Sequence, residues 1–324
     1  MYPYKELQNI INNEIEQLNF NIEPFELYKP IEYVLSGKGK RLRPVLALIA
    51  CNLFSDEINE AINPAIGLEV FHNFTLLHDD IMDKADIRRN MPTVHKKWND
   101  NTAILSGDAM MIKAYEFFFF LKPEILSKVL PVFNKTALQV CEGQQFDMEF
   151  ETRINVTAEE YLQMITLKTA VLLAASLKIG AIIGGASEKD ANLLYDFGIN
   201  LGIAFQLQDD YLDVYGDVKT FGKQIGGDIV SNKKTYMLIS AMEKANYEDK
   251  KQLFELINST DIENSRKIKE VTEIYNQLNI PLILKNKLEY FHNLALINLK
   301  QIAVKDESKN ILSQLSKELI IREQ

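Results

Sequence analysis

No proline occurs between Pro131 and Pro281, and the chain holds only 14 glycines and 9 prolines in its 324 residues. So few breakers leave long stretches free to form helix. Apolar residues recur through them at three- and four-residue spacing, with little strand-like alternation. Local start signals agree. Thr157-Ala158-Glu159-Glu160 is a capping box, Ser187-Glu188-Lys189-Asp190 opens the next helix, and Pro92 and Pro123 bracket a helix through Met110 to Leu121. The reading is all-α, with about a dozen helices. No Ser/Gly linker or low-complexity block divides the chain, so residues 1–324 are expected to form a single domain.

Composition narrows the function classes. Hydrophobic residues make up 47% and charged residues 25%, an ordinary globular balance that excludes a disordered chain or a disulfide-stapled miniprotein. Lys+Arg number 36 against Asp+Glu 45, a net charge of −9. Such a surface repels phosphate backbones, so no nucleic acid is expected as partner, and any phosphate-bearing ligand needs local basic clusters or metal ions. Cys51 and Cys141 fit neither a disulfide framework nor a zinc site and suit a reducing cytosol. The first six residues lack a signal-peptide pattern. The most apolar run, Ala170 to Ala186, is interrupted by Lys178 and falls short of the ~20 apolar residues of a membrane span. It reads as a buried core helix, and the protein as soluble and cytoplasmic.

One pattern occurs twice. Asp79-Asp80-Ile81-Met82-Asp83 and Asp209-Asp210-Tyr211-Leu212-Asp213 both spell DDxxD. At ~100° per residue, His72, Thr75, Asp79 and Asp83 share one helical stripe, with Val70, Phe74, Leu77 and Ile81 on an apolar neighbour. Gly202, Gln206, Asp209 and Asp213 align in the same way. One such cluster reads equally as a solvated acidic helix end. Two, each after an apolar segment, imply cations that offset carboxylate repulsion. Carboxylate oxygen ligands select a hard ion, magnesium above all, and magnesium commonly completes its shell with water and phosphate. The pattern reads as a metal-bridged diphosphate site.

Basic clusters lie near both. Gly37-Lys38-Gly39-Lys40-Arg41-Leu42-Arg43-Pro44 lacks the P-loop pattern and a preceding strand. Arg88-Arg89 follows the first acidic cluster, and Lys223, Lys233 and Lys234 follow the second, with Gly226-Gly227-Asp228 between. Salt-bridge neutralisation is one account. The other is two phosphate pockets, one with metals and one served by cationic side chains alone.

As an ordered set these motifs resemble those of trans-isoprenyl diphosphate synthases, the farnesyl/geranylgeranyl diphosphate synthase group of the polyprenyl synthetases. The set runs through Gly39-Lys40-Arg41-Leu42-Arg43-Pro44, His72 to Asp83, Arg88-Arg89, Gly143-Gln144-Gln145-Phe146-Asp147, Lys168-Thr169, Phe205 to Asp213, Gly222-Lys223, Gly226-Gly227-Asp228 and Lys233-Lys234-Thr235. It departs from the family at Lys38, where a glycine is usual, and in the run between Lys223 and Asp228, whose length varies.

The resemblance implies an isoprenoid-synthase-type bundle of antiparallel helices around a deep central cavity, usually as a homodimer. It implies head-to-tail condensation of isopentenyl diphosphate with an allylic diphosphate, giving farnesyl or geranylgeranyl diphosphate. Asp79, Asp83 and Asp209 would bind three magnesium ions, with Asp80, Asp210 and Asp213 in support. Arg88, Lys168, Lys223 and Lys233 would contact the allylic diphosphate. Lys40, Arg43, His72 and Arg89 would hold isopentenyl diphosphate without metal. Dipoles of Thr169, Gln206 and the Lys168 carbonyl would stabilise the carbocation, and the departing diphosphate would take the final proton.

Product length is a geometric matter. Thr75 lies one turn before Asp79 and Phe74 ~7.5 Å along the helix axis, where a growing tail would meet them. Tyr115, Phe118 and Phe119 are expected on the cavity floor, although Phe74 also reads as plain core. The family associates an aromatic at the position of Phe74 with short products. A class I terpene cyclase is the alternative within this chemistry, and a non-catalytic subunit of a heteromeric prenyltransferase lies outside it. The second DDxxD and the basic loop argue against the first, and the retained aspartates and cations against the second.

Overall fold

The computed structural model describes residues 1–37, 39–216, 225–259 and 262–320. Helix dominates. In chain order the elements are α1 (Tyr4–Glu16), α2 (Phe25–Leu35), α3 (Leu42–Asn52), α4 (Asn59–Met82), β1 (Ile87–Arg88), β2 (Met91–Pro92), α5 (Val94–Lys97), α6 (Asp100–Glu116) and α7 (Pro123–Thr152). Then come α8 (Ala158–Ile165), a π-helical turn (Thr166–Ala170), α9 (Val171–Ile183), α10 (Glu188–Tyr215), α11 (Gly227–Val230), α12 (Tyr236–Lys244), α13 (Tyr247–Asn258), α14 (Asn264–Gln277), α15 (Ile280–Gln301) and α16 (Asp306–Ile320). Short helices such as α5 and α11 raise the number above the dozen read from the sequence.

The start signals act as written. Thr157 and Glu160 close a reciprocal capping box on α8. The Ser187 hydroxyl accepts from the Asp190 amide at the start of α10. One expectation is corrected. The helix read through to Leu121 ends at Glu116, and Phe117–Phe120 form a hydrogen-bonded turn. Phe118 turns inward and is buried, whereas Phe119 is 63% exposed and so lines no interior wall of its unit.

The chain forms two compact units, and all but one of their borders fall inside helices, the exception being 302/303 between α15 and α16. The first comprises residues 1–134, 175–194 and 303–311. Here α4 packs on α3 and α6, and α1 on α3. Helix α1 shows how local pattern sets this packing. Leu7, Ile11 and Ile15, one turn apart, are buried, each worth about 2 kcal/mol. Phe71, Phe118 and Phe133 lie at the centre, with ring centroids 4.5–5.3 Å from Phe133.

The second unit comprises residues 135–174, 195–302 and 312–324. In it α14 packs on α11, α13 and α15, and α12 on α8 and α15, around fully buried Tyr275, Leu253 and Leu284. The stretch Ala158–Ile183 is apolar and long enough to cross a membrane by length and composition, and 67% of its most apolar window is buried inside the protein. That burial agrees with a core helix.

Candidate active site

The first aspartate cluster closes α4. Asp79 and Asp80 occupy its last turn, and Asp83 is the C-cap residue, its amide bonded to the Asp79 carbonyl at 2.8 Å. A helix C-terminus is the negative end of the macrodipole, so carboxylates collected there call for cations. One comes from the hairpin that follows. Strands β1 and β2 pair Ile87 with Pro92 and Arg88 with Met91, and Arg89 (φ 51°) and Asn90 (φ 62°) make the turn. Left-handed conformation at both central residues is the type I′ signature, whose twist suits a tight hairpin. The hairpin turns Arg88 back, so that its Nε donates to Asp80 Oδ1 at 2.6 Å and its Nη2 lies 3.7 Å from Asp79 Oδ2. Burial pushes the Asp80 carboxyl above its ordinary range, against the pull of Arg88.

In the same unit Arg43, His72 and Arg89 gather, and Lys40 is exposed on the loop before α3. Arg43 Nη1 donates to His72 Nε2 at 3.0 Å, which requires that nitrogen to carry a lone pair. Burial, then the guanidiniums of Arg43, Arg89, Arg88 and Arg41, hold His72 well below its usual range and therefore neutral. Burial also lowers Arg43 to about 10, helped by Arg89 and opposed by Glu69. The Arg43 Nε is buried with no hydrogen-bond partner. A buried, unsatisfied donor among cations is a place for an anion's oxygen.

The second cluster lies near the C-terminal end of α10, in the other unit. Asp210 is buried, and its Oδ2 accepts from the Tyr161 hydroxyl at 2.5 Å while Gln206 Nε2 donates to Oδ1 at 3.4 Å. Burial first, then Asp228, push Asp210 up to about 8. Asp213 is buried too, and its Oδ2 accepts from the Asp228 amide at 3.0 Å at the start of α11. Asp209 remains half-buried.

Beside this cluster the π turn carries Lys168 and Thr169. Helices α7 and α10 can approach it only because they present glycine: a Cβ at Gly143 would collide with the backbone of Lys168, and one at Gly202 with Ala170. Wider π turns commonly occur where a helix serves a site. Lys168 Nζ donates to Asp147 Oδ2 at 2.5 Å, and Thr169 Oγ1 to Gln206 Oε1 at 3.3 Å. Lys233 is exposed, and Lys223 lies outside the described residues.

Magnesium was implied by the sequence, and the carboxylates test it. Among the described residues no group of three or more His, Cys, Asp or Glu side chains forms a metal cage. Magnesium is usually held by one or two carboxylates and shares its other positions with water and phosphate. In each cluster the second aspartate is committed to a protein donor, Asp80 to Arg88 and Asp210 to Tyr161. Asp79 and Asp209 are half-buried and Asp83 is exposed. The donor set fits.

Two groups outside every motif belong to these networks, Glu69 and Tyr161, and two inside motifs, Asn73 and Asp147, had been given no role. Glu69 carried a signal, an acid within the apolar run Gly67-Leu68-Glu69-Val70-Phe71. Tyr161 carried none.

The family model for polyprenyl synthetase matches residues 24–276. The chain belongs to the polyprenyl synthetase family. It is 37% identical over 321 residues to geranylgeranyl diphosphate synthase of Methanosarcina mazei, covering 97% of this chain and 95% of that one. A crystal structure of a geranylgeranyl pyrophosphate synthase matches with TM-score 0.94 and 44% identity over 100% of both chains. The Corynebacterium glutamicum geranylgeranyl pyrophosphate synthase, solved with isoprenyl diphosphate and magnesium, matches with TM-score 0.84 and 25% identity over 99% and 97% of the chains. The all-α isoprenoid synthase fold and short-chain trans-prenyl transfer follow from this membership, and divalent metal use agrees with it.

In this polyprenyl synthetase the expected chain-length residues occupy the first unit. Phe74 is 7% exposed and packs against Phe71 at 5.5 Å and edge-on against His78 at 4.8 Å. The Tyr115 ring meets Phe133 at 4.8 Å, and its hydroxyl donates to Asn134. Thr75 Oγ1 donates to the His72 carbonyl within its own helix. Phe71, Phe74, Tyr115, Phe118 and Phe133 thus form one aromatic cluster, of which Phe71 and Phe133 were not anticipated.

Proposed function

We propose that this prenyltransferase condenses isopentenyl diphosphate with an allylic diphosphate and releases geranylgeranyl diphosphate as its main product. The observation that carries the reading is the cation excess around the Arg43–His72 pair, with an unsatisfied buried Arg43 Nε. Lys40, Arg43, His72 and Arg89 hold isopentenyl diphosphate there without metal. Asp79, Asp83 and Asp209 are the ligands of three magnesium ions, and Arg88, Lys168, Lys223 and Lys233 serve the allylic diphosphate. Bound magnesium would neutralise the charge that grows on the leaving diphosphate.

The side chains do the rest. Cationic groups gain interaction strength as the allylic C–O bond breaks, so they stabilise the transition state more than the bound substrate. The Thr169 and Gln206 oxygens and the Lys168 carbonyl present negative dipole ends to the carbocation without attacking it. The departing diphosphate accepts the proton released at the end. Apolar side chains around the bound tail keep water from the cation, and Phe74 limits the tail, with Thr75 and Tyr115 beside it.

The 324 residues act as one domain in the cytoplasm, and the protein is a homodimer. Ile104, Leu105, Met111 and Ile112 form an exposed apolar stripe on α6 that a second copy would cover. Pure protein with magnesium, isopentenyl diphosphate and dimethylallyl, geranyl or farnesyl diphosphate is the test, read by mass spectrometry of the products. Chains ending at twenty carbons support the reading. A fifteen- or twenty-five-carbon end point moves the limit, and Phe74→Ala should lengthen the product. Cyclic hydrocarbons, or no turnover, would reject it.

A further inference from the structure

The basic loop carries three cations close together, Lys40, Arg41 and Arg43, and one of them faces the other way. Arg41 is 6% exposed and sits in left-handed conformation, φ 49° and ψ 37°, immediately before α3. A non-glycine residue holds that conformation only where its surroundings over-determine it. Here they do. Arg41 Nη1 donates to Glu69 Oε1 at 2.7 Å, Nη2 to the carbonyls of Leu35 at 2.7 Å and Gly37 at 3.1 Å, and Nε to Asn12 Oδ1 at 3.2 Å. All three guanidinium nitrogens donate to the protein, through four of the five N–H groups, and the side chain is buried away from solvent.

The partners of Arg41 lead on to groups of the isopentenyl site. Glu69 Oε1 also accepts from Asn73 Nδ2 at 3.1 Å, and Asn73 Oδ1 accepts from Arg89 Nη1 at 3.5 Å. On the other side, α1 presents Tyr4, Gln8 and Asn12 one turn apart. The Tyr4 hydroxyl and Gln8 Nε2 both donate to the Lys40 carbonyl, at 2.7 and 3.0 Å, and Asn12 receives Arg41. One polar edge of α1 therefore grips two consecutive residues of the loop, while its apolar face is buried by Leu7, Ile11 and Ile15.

We infer that Arg41, with Glu69, Asn73 and the Gln8–Asn12 edge of α1, is a positioning network for the metal-free diphosphate site, and that Arg41 itself contacts no substrate. It fixes the Lys40 peptide and the Arg89 guanidinium before the ligand arrives, so that their cost of ordering is met in folding rather than in binding. The inference rests on the isopentenyl reading proposed above.

Steady-state kinetics of the full chain with magnesium separate the two. Arg43→Ala tests the reading, because it must raise KM for isopentenyl diphosphate; if it does not, the reading fails and takes this inference with it. Gln8→Ala with Asn12→Ala tests the network. These side chains border a cleft of about 570 Å³, so water replaces them and folding survives. The pair should raise isopentenyl KM about 5- to 10-fold and leave allylic KM and kcat within about 2-fold. Asn12→Asp keeps the acceptor and should restore the parental KM. Arg41→Lys, which loses the fork, should raise isopentenyl KM more than the α1 pair does. Unchanged isopentenyl KM in the α1 pair beside a raised value in Arg43→Ala would overturn the network and leave the reading standing. So would a parallel rise of both KM values, or failure of Asn12→Asp to rescue.

Discussion

In the first aspartate cluster Asp83 lies exposed at the C-cap of α4, whereas Asp213, its counterpart in the second, is 8% exposed and spends an oxygen on the Asp228 amide. The middle members diverge as well. Asp80 meets a permanent cation, Arg88, while Asp210 meets a neutral phenol, Tyr161. Identical spelling thus leaves the first aspartate, Asp79 or Asp209, half-buried in both copies, but the last one exposed in the first copy and buried in the second. Helical periodicity puts the first and fifth aspartates on one stripe in both copies. What the fifth one does depends on whether the following chain departs as a hairpin or folds back to be capped.

Substitution measures that difference most strongly at the aspartates that are not fully buried. Asp79→Asn, Asp83→Asn and Asp209→Asn should each lower kcat by about 10²–10⁴, a loss of ~3–5 kcal/mol of transition-state stabilisation. Asp213→Asn should cost kcat at least ten times less than Asp83→Asn and should lower the melting temperature. Equal kcat losses at 83 and 213 would erase the distinction.

Next in size is Tyr161→Phe, which leaves buried Asp210 with only the longer bond from Gln206. Urea unfolding should report a loss of about 1–3 kcal/mol, and no loss would mean that Asp210 does not depend on the phenol. The helix carrying Tyr161 offers a gentler probe. Thr157→Ala removes one half of the capping box of α8 and should cost about 1 kcal/mol by the same measurement.

The smallest effect concerns pH. His72 is held well below its ordinary 6.5, so the unfolded chain binds the proton first as pH falls. Its contribution is complete above 6.5 and is lost progressively below it. His72→Asn should flatten that part of the stability–pH curve, and an unchanged curve would show that His72 can be charged in the fold.

Much of this was legible before any coordinates. Capping boxes announce helix starts because the side chain answers an amide three residues away, and α8 and α10 begin where such signals lie. The hairpin was not legible. Its turn uses Arg89 and Asn90 rather than an Asn-Gly pair, and its strands are two residues long. The π turn at Thr166–Ala170 was hidden too, since nothing local distinguishes it from the α-helix on either side. The phenylalanine run after Glu116 misled by looking helical, because aromatic residues fit a helix as readily as a turn packed on the core.

The sequence alone determined the helical class, the helix starts and the residue types able to handle diphosphate and metal, because each depends on neighbours within a turn or two. Tertiary structure decided which of those residues remain available. Arg41 finds Glu69 at a separation of 28 residues, and Tyr161 finds Asp210 at 49. A buried hydrogen bond commits a donor or acceptor completely, and no local pattern records a commitment made over that distance.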